Sequence, residues 1–312
     1  MKVGITCGGI GPYASGAFLR CSVQAAEAAG MAHYWLPDHV VLFARYPESK
    51  YPYAGGSGQE APEQSADAPL QFDDDEFAMV NPRDPFVEPV VAMTWLAAAT
   101  SSIEVGTNIL VLPQRNPVLL AKELSTLDAF SNGRLILGIG AGWAKEDFDA
   151  MGVDFHVRGK RTDEMIVAMR ALWESDAASF SGDFFHFRNA YCYPKPTRRV
   201  PILVGGESMP AMRRVARIGD GWLPYNLPVT DAPKVIGELK AMTRAEGRDP
   251  DTLRIIKIVY SNATLDDLKR YRDAGVTEFN IASSGEIPLD GAGITAKFAE
   301  FGETLVGPIA EL

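Results

Sequence analysis

The chain has 312 residues, of which 46% are hydrophobic, with 30 basic and 40 acidic side chains and a formal net charge of -10. This length can form one large α/β domain or two ordinary ones with an ample core, so we expect a soluble globular protein. Because the balance is acidic and the sequence contains no Lys/Arg block, nucleic acids and anionic membranes are poor partners.

The sequence shows no pattern typical of export or membrane insertion. No apolar run approaches the roughly 18 residues of a membrane span, and MKVGITCGG begins like a strand and not like a signal peptide. The three cysteines, Cys7, Cys21 and Cys192, are widely spaced and form no CxxC motif. This spacing argues against a disulfide framework or a zinc site, and we expect a cytoplasmic protein.

Short apolar runs alternate with amphipathic segments along the chain. The strand candidates in chain order are KVGITC, HYWLP, IEVGTNILVL, RLILGIGAG, PILVGG, GWLPY, LRIIKIVY and EFNIAS. About eight strands, each followed by a helical pattern, are typical of a (β/α)8 barrel. RLILGIG is apolar on both faces, as expected of a parallel strand that is covered on both sides. We therefore predict an α/β fold, a single (β/α)8 TIM-barrel domain over residues 1–312, with a doubly wound sheet as the alternative.

Helix boundaries are predicted from capping residues. Asn116 suits the N-cap position, Pro117 suits the first helical position, and Asn132-Gly133 ends this element. A second helix is predicted in RTDEMIVAMRALW. The apolar stripes of the two helices consist of Leu120, Leu124 and Leu127 in the first and Met165, Ile166, Met169, Leu172 and Trp173 in the second. Both are predicted to be helices of the outer ring.

One segment departs from the alternation. Between the second strand and a helix predicted to start near Asp84, residues 43–83 contain turn residues, five prolines and a DDDE run, but no sustained period. Loops of this length are usually functional lids or disordered insertions, and a surface insertion without a role is the alternative. The aromatic residues that would cover a pocket or pack on the barrel rim are Tyr46, Tyr51, Tyr53, Phe72 and Phe77. A lid of this kind would select a small, partly apolar substrate that is uncharged or weakly acidic.

An acid and an imidazole follow the second strand directly. In a parallel barrel the βα loops converge at the C-terminal ends of the strands, where active sites form. Asp38 could fix the ring orientation of His39, and an imidazole can donate or hold a proton near neutral pH. A structural turn is the alternative.

Glycines mark two further strand ends. Gly138, Gly140 and Gly142 in GIGAGW would let a flat ligand or another backbone approach, and tight barrel packing is the alternative. This run is not a dinucleotide fingerprint, because Trp143 stands where a third glycine would be required. After the fifth strand, GGES precedes a helix whose first N–H groups would form an anion site, to which the arginines of MRRVAR would add positive potential.

Other common catalytic signatures are missing from the sequence. The four histidines form no HxH or HExxH arrangement, and the chain has neither a G-x-S-x-G elbow nor a Walker loop. An external organic cofactor is therefore the better prediction.

The residues resemble the bacterial luciferase-like monooxygenase superfamily, and within it the oxidoreductases that use the deazaflavin coenzyme F420. The resemblance spans nearly the whole chain. It rests on WLPDHVV with SKYPY, TNILVLPQRNPVLLAKELSTLDAFSNGRLILGIGAGW, GVDFHVRGKRTDE, and PILVGGES with ARIGDGWLP. It implies an oxidoreductase that acts on a small-molecule substrate and forms a homodimer.

The resemblance also implies roles for individual residues. Asp38 and His39 match a catalytic pair that meets the pyrimidine side of the deazaflavin near its reactive carbon. Asn108-Ile109 matches a non-prolyl cis peptide whose bulge backs the ring. Residues 140–143 would line the ring and its ribityl chain, and residues 205–207 would meet the phosphate region. The residues implied to bind the cofactor are Asn108, Ile109, Leu110, Gly140, Ala141, Gly142, Trp143, Arg158, Gly205, Gly206 and Glu207.

One position bears on the choice of cofactor. FMN-using relatives often have a tyrosine, which approaches the FMN phosphate, where this chain has Gly159. Its absence would leave room for the longer deazaflavin tail, whose carboxylates could meet Arg158, Lys160 and Arg161. The first hypothesis is therefore an F420-dependent oxidoreductase that transfers a hydride between the deazaflavin and a small organic substrate. The alternatives are an FMN-dependent luciferase-like monooxygenase and a cofactor-binding protein without turnover.

Overall fold

The fold is taken from a computed structural model, which describes residues 1–49, 70–71, 82–283 and 286–312. Eight parallel strands form a closed barrel in which each strand pairs with the next and the eighth pairs with the first. They are β1 (Lys2–Thr6), β2 (His33–Leu36), β3 (Glu104–Thr107), β4 (Leu135–Gly140), β5 (Ile202–Gly205), β6 (Gly221–Leu223), β7 (Arg254–Tyr260) and β8 (Glu278–Ala282). The predicted (β/α)8 barrel is confirmed, and the doubly wound alternative is wrong.

Helices follow the strands and surround the barrel. They are α1 (Gly16–Ala28), α2 (Pro89–Ala98), α3 (Pro117–Phe130), α4 (Lys145–Ala150), α5 (Arg158–Glu174), α6 (Met209–Ile218), α7 (Ala232–Ala245), α8 (Leu265–Ala274), α9 (Gly291–Phe301) and α10 (Gly307–Ala310). Asn116 caps α3 as predicted, since its side chain accepts hydrogen bonds from the N–H groups of Val118 and Leu119. The predicted apolar stripes of α3 and α5 are buried. In the part of the chain that the structure describes, no helix is long and apolar enough to span a membrane.

Apolar side chains cover both faces of the barrel sheet. Alternate residues such as Val3 and Ile5 point outward and pack against the helices. The inside is filled by Trp35, Ile136, Leu203, Leu223 and Ile256. Gly106 makes room for the largest of these, because a Cβ atom at this position would lie 2.8 Å from Cζ3 of Trp35. The barrel is therefore a packed core and not a pore.

Charged residues close the N-terminal end of the barrel. Arg254 donates from Nε to Glu278 at 2.6 Å and from Nη2 to Glu104 at 2.8 Å. His33 Nε2 lies 3.2 Å from Glu278, and Trp35 donates to His33 Nδ1 at 2.6 Å. Burial raises the pKa of Glu278, but its hydrogen bonds with His33 and Arg254 outweigh this effect and lower the pKa to about 2. His33, Glu104, Arg254 and Glu278 are each the first residue of a strand, so the network holds the starts of four strands together.

Two predicted boundaries are corrected by the structure. The helix predicted near Asp84 begins at Pro89, because Glu88, the residue before this proline, is extended with a ψ of 121°. Glu88 caps this helix instead. The third predicted strand is interrupted at Asn108, after which Leu110–Val111 pairs with the end of β4. The sequence pattern also missed a hairpin between α5 and β5, formed by Ala178–Ser181 and His186–Ala190.

The segment predicted to be a lid is described in part. Arg45–Tyr46 pairs antiparallel with Leu70–Gln71. Tyr46 is buried and packs against Trp143, with ring centroids 5.1 Å apart. The predictions made for Tyr51, Tyr53, Phe72 and Phe77, and the lid itself, lie outside the described residues.

Candidate active site

The C-terminal ends of the barrel strands form a mouth that contains the residues predicted from the sequence. Those that are partly exposed there are His39, Asn108, Ile109, Ala141, Gly142, Trp143, Arg158, Gly205, Gly206 and Glu207. Asp38, Leu110 and Gly140 are buried. Most of the predicted set can therefore be reached from the mouth, whereas the strands beneath it are closed.

Ile109 occupies the space that side chains would need at two neighbouring strand ends. A Cβ atom at Gly140 would lie 1.8 Å from Ile109 Cδ1, and one at Gly205 would lie 2.7 Å from Ile109 Cγ2. The Asn108-Ile109 peptide is cis, as predicted. The tight packing considered from the sequence for Gly140 is therefore one reason for glycine there, and the same packing against Ile109 applies at Gly205.

Asp38 connects the end of β2 to the chain that follows the interrupted third strand. Its side chain is fully buried and accepts from the backbone N–H of Val111 at 2.8 Å and from Arg115 Nη2 at 2.9 Å. Burial raises the pKa of Asp38 against the lowering effect of Arg115. The expectation that Asp38 orients the ring of His39 is wrong, because the two oxygens of Asp38 are taken by Val111 and Arg115. Nδ1 of His39 lies instead beside a different carboxylate.

His39 is paired with a carboxylate far away in the sequence. Its Nδ1 lies 3.0 Å from Oδ2 of Asp147 in α4, and the side chains are 18% and 2% exposed respectively. The imidazole also makes edge contacts with Phe86 and Trp143, at centroid distances of 5.6 and 6.1 Å. Sequence reasoning missed Asp147. An acidic residue in the first helical turn after a strand was the available signal, and helix dipoles favour such residues without any catalytic role.

The start of α4 also anchors the chain that leaves the mouth after His39. Glu146 accepts from Ser49 Oγ at 2.5 Å and from the N–H of Glu48 at 2.8 Å. Ser49 Oγ in turn accepts from the backbone N–H of Lys145 at 2.6 Å. One turn of helix therefore fixes both the imidazole and the first residues of the long insertion.

Glu207 connects the loops that follow β5 and β6. Its Oε1 accepts from the N–H groups of Tyr225 and Asn226, at 2.5 and 2.8 Å. The indole of Trp222 donates to Gly206 O at 2.8 Å. Through these hydrogen bonds Glu207 holds the two loops together at the rim of the mouth. Its negative charge is unsuited to direct contact with a phosphate.

The family model described as luciferase-like monooxygenase matches residues 66–281. The chain belongs to the luciferase-like monooxygenase family. An uncharacterised protein from Mycobacterium tuberculosis (strain ATCC 25618 / H37Rv) is 34% identical over 259 residues, which are 82% of this chain and 81% of that protein. The FMNH2-dependent dimethylsulfone monooxygenase of Pseudomonas fluorescens (strain Pf0-1) is 35% identical over 153 residues, 48% of this chain and 42% of that enzyme.

A solved structure of an F420-dependent secondary alcohol dehydrogenase, in complex with an F420-acetone adduct, has the same fold. It superposes with a TM-score of 0.72 at 18% identity and covers 99% of this chain and 98% of its own. At this identity the likeness shows the fold alone. Proteins similar to this luciferase-like chain thus include both F420-dependent and FMN-dependent enzymes.

The basic residues at the start of α5 differ in their availability. Arg158 donates to Gly142 O at 3.2 Å and lies over the ring of Phe155, 3.8 Å from its centroid. Lys160 is exposed. Arg161 donates to backbone carbonyl groups of the segment between the third strand and α3. Arg158 also donates to Phe155 O, so the two arginines are engaged by backbone carbonyl groups to the same degree. All three basic residues therefore remain candidates for contact with a cofactor tail in this luciferase-like protein.

Gly159 lies next to a guanidinium group. A Cβ atom there would meet Arg214 Nη2 at 3.6 Å, an ordinary contact distance, and the same nitrogen donates to Gly159 O at 3.0 Å. Arg214 and Arg217 both pair with Asp163, which offsets the positive potential expected of α6.

Among the described residues, no cluster of three or more acidic, His or Cys side chains could hold a metal ion.

Proposed function

We propose that this chain is an F420-dependent oxidoreductase that transfers a hydride between the deazaflavin and a small alcohol or carbonyl compound. The observation that carries the proposal is the partly exposed imidazole of His39 at the mouth, paired through Nδ1 with the buried carboxylate of Asp147. An F420-dependent secondary alcohol dehydrogenase of the same fold binds an F420-acetone adduct, so the fold itself is suited to this cofactor. A bound deazaflavin would supply or take up the hydride.

The mouth offers suitable surfaces for a flat ring with an anionic tail. Gly142 and Gly206 have φ values of 81° and 95°, so the backbone turns there without side chains that would cover it. Ala141 and Gly205 beside them are partly exposed. Arg158, held against Gly142, provides a cation at the edge of this surface. We propose that these backbone segments and the bulge at residues 108–110 hold the ring, and that Arg158 meets the tail.

His39 would handle the proton that accompanies the hydride. Because Nδ1 is engaged with Asp147, Nε2 is the nitrogen that can exchange a proton with the substrate. In the oxidative direction Nε2 accepts the hydroxyl proton as the hydride leaves the same substrate's carbon, and in the reductive direction the imidazolium returns the proton to oxygen. Phe86 and Trp143 flank the ring and limit its access to water.

A flavin-dependent monooxygenase is the second candidate. The 35% identity over 153 residues to an FMNH2-dependent dimethylsulfone monooxygenase favours it. The same mouth could hold FMN, whose shorter tail would leave Arg158 and Lys160 without the carboxylates of the deazaflavin.

A titration of the purified full chain against F420 and FMN, side by side, tests the proposal. We expect F420 to bind more tightly by at least about 1.4 kcal/mol, which is a tenfold ratio of dissociation constants. Equal affinities, or tighter binding of FMN, would reject the deazaflavin assignment in favour of the monooxygenase.

A further inference from the structure

The carboxylate of Asp147 is costly to bury and has few partners. Its side chain is 2% exposed, and Oδ1 has no hydrogen-bond partner among the described residues. The nearby ammonium group of Lys145 pairs with Glu48 and Asp149 instead. A buried carboxylate without a donor costs several kcal/mol, so the bond from His39 to Oδ2 is a main contribution that offsets this cost.

This bond selects one tautomer of the imidazole. An ionised carboxylate can only accept hydrogen bonds, so the proton shared with Oδ2 must lie on Nδ1 of His39. Nε2 of the neutral ring is then an acceptor. The imidazole also makes edge contacts with Phe86 and Trp143, at interplanar angles of 79° and 75°. These contacts restrict rotation of the imidazole ring.

The position of Asp147 is itself fixed from the opposite side. The two preceding residues both bind Ser49: its hydroxyl group donates to Glu146 and accepts from the backbone N–H of Lys145. Phe148, the next residue, is fully buried. Asp147 therefore sits in a helical turn that is anchored on both sides, which suits a group that must hold another side chain in a single orientation.

We infer that Asp147 is a positioning residue whose carboxylate holds His39 in the Nδ1–H tautomer and thereby presents Nε2 to the substrate as the proton acceptor. When Nε2 takes up the proton, the same carboxylate stabilises the imidazolium ion that forms. The inference rests on the proposed function, and it extends that function to a residue 108 positions away from the imidazole.

Side-chain 15N NMR of the cofactor-free full chain tests the inference without relying on turnover. The chain has four histidines, and the signals of His39 are identified by their loss in His39→Gln. At a pH where the ring is neutral, we expect the Nδ1–H form in the wild type and a shift toward the Nε2–H form in Asp147→Asn. The matched control is Asp149→Asn on the same helix, which removes an exposed carboxylate and should leave the His39 signals unchanged. An Nε2–H form in the wild type, or an unchanged tautomer in Asp147→Asn, would overturn the inference.

A double-mutant cycle distinguishes positioning from a general structural role. Asp147→Asn should slow single-turnover hydride transfer by about 10²-fold at saturating F420, with cofactor affinity unchanged. In a His39→Ala background, the same substitution should cost less than about twofold. Equal losses in the two backgrounds would show that Asp147 acts through the fold and not through His39. If the wild type shows no transfer with F420, the proposed function fails, and the NMR result alone decides the role of Asp147.

Discussion

At the N-terminal end of the barrel, Arg254 donates to both Glu104 and Glu278, whereas at the C-terminal mouth His39 is paired with the carboxylate of Asp147. The first network joins the starts of four strands, one of which begins with the buried His33. The second leaves an imidazole partly exposed beside a glycine-lined surface. At the N-terminal end, the arginine and the glutamates therefore neutralise one another. At the C-terminal mouth, Asp147 engages only Nδ1 of His39 and leaves Nε2 available.

The same strands thus serve stability at their starts and chemistry at their ends. At the mouth, Gly140 and Gly205 leave space for the side chain of Ile109, and part of the backbone is exposed. At the opposite end, long side chains cross between strands. Substitutions at the two ends should consequently affect different measurements, and the following predictions run from the largest expected effect to the smallest.

Arg254→Ala should lower the free energy of unfolding by about 3–5 kcal/mol, because Glu104 and Glu278 would remain close together without their shared cation. Urea denaturation gives this value. Arg217→Ala is the matched control, since Arg217 is half exposed in its ion pair and should cost less than about 1 kcal/mol. Similar losses in the two variants would contradict a special role for the N-terminal network.

Acid should weaken the same network through Glu278. Burial raises its pKa, but its bonds with His33 and Arg254 lower it from 4.5 to about 2. Because the folded-state pKa is depressed, the ionised form stabilises the fold above the unfolded-state value, and this stability is lost as the pH falls from about 4.5 toward about 2. The effect is on the order of 3 kcal/mol. Glu278→Gln should flatten the pH dependence of the unfolding free energy in this range, and an unchanged curve would assign acid sensitivity to other groups.

Gly140→Ala should act at the mouth and cost about 1–3 kcal/mol of stability, since its Cβ atom would displace Ile109. Displacement of Ile109 should also weaken cofactor binding, measured by titration. Gly237→Ala is the matched control: this exposed helical position has no atom within 4 Å of the new Cβ and should gain about 0.5–1 kcal/mol. A Gly140→Ala protein with unchanged stability and affinity would contradict the packing described for Ile109.

Most of the barrel could be predicted from the sequence, because each strand is a short apolar run followed by an amphipathic helix. RLILGIG is one example, since its two apolar faces pack against the barrel interior and the helices. The start of α2 could not be placed, because prolines at 85 and 89 both suit the first turn of a helix. The hairpin at residues 178–190 was missed because it adds to no barrel strand and has little apolar alternation.

The site was predicted more completely in its residues than in their contacts. The adjacent Asp38 and His39 suggested a pair, yet Asp38 bonds to Val111 and Arg115. Which carboxylate reaches His39 depends on how far the loop after β4 returns over the mouth. No local pattern encodes this contact, because Asp147 lies 108 residues further along the chain.

Anaerobic incubation of the full chain with oxidised F420 and a panel of small secondary alcohols tests most directly whether the mouth transfers a hydride. Loss of the visible absorbance of the oxidised deazaflavin reports the transfer. We predict that the wild type bleaches F420 with at least one alcohol, and that His39→Ala binds F420 equally well but bleaches it about 10²-fold more slowly. Oxygen-dependent turnover with reduced FMN, together with no bleaching of F420 by the wild type, would contradict the proposed function.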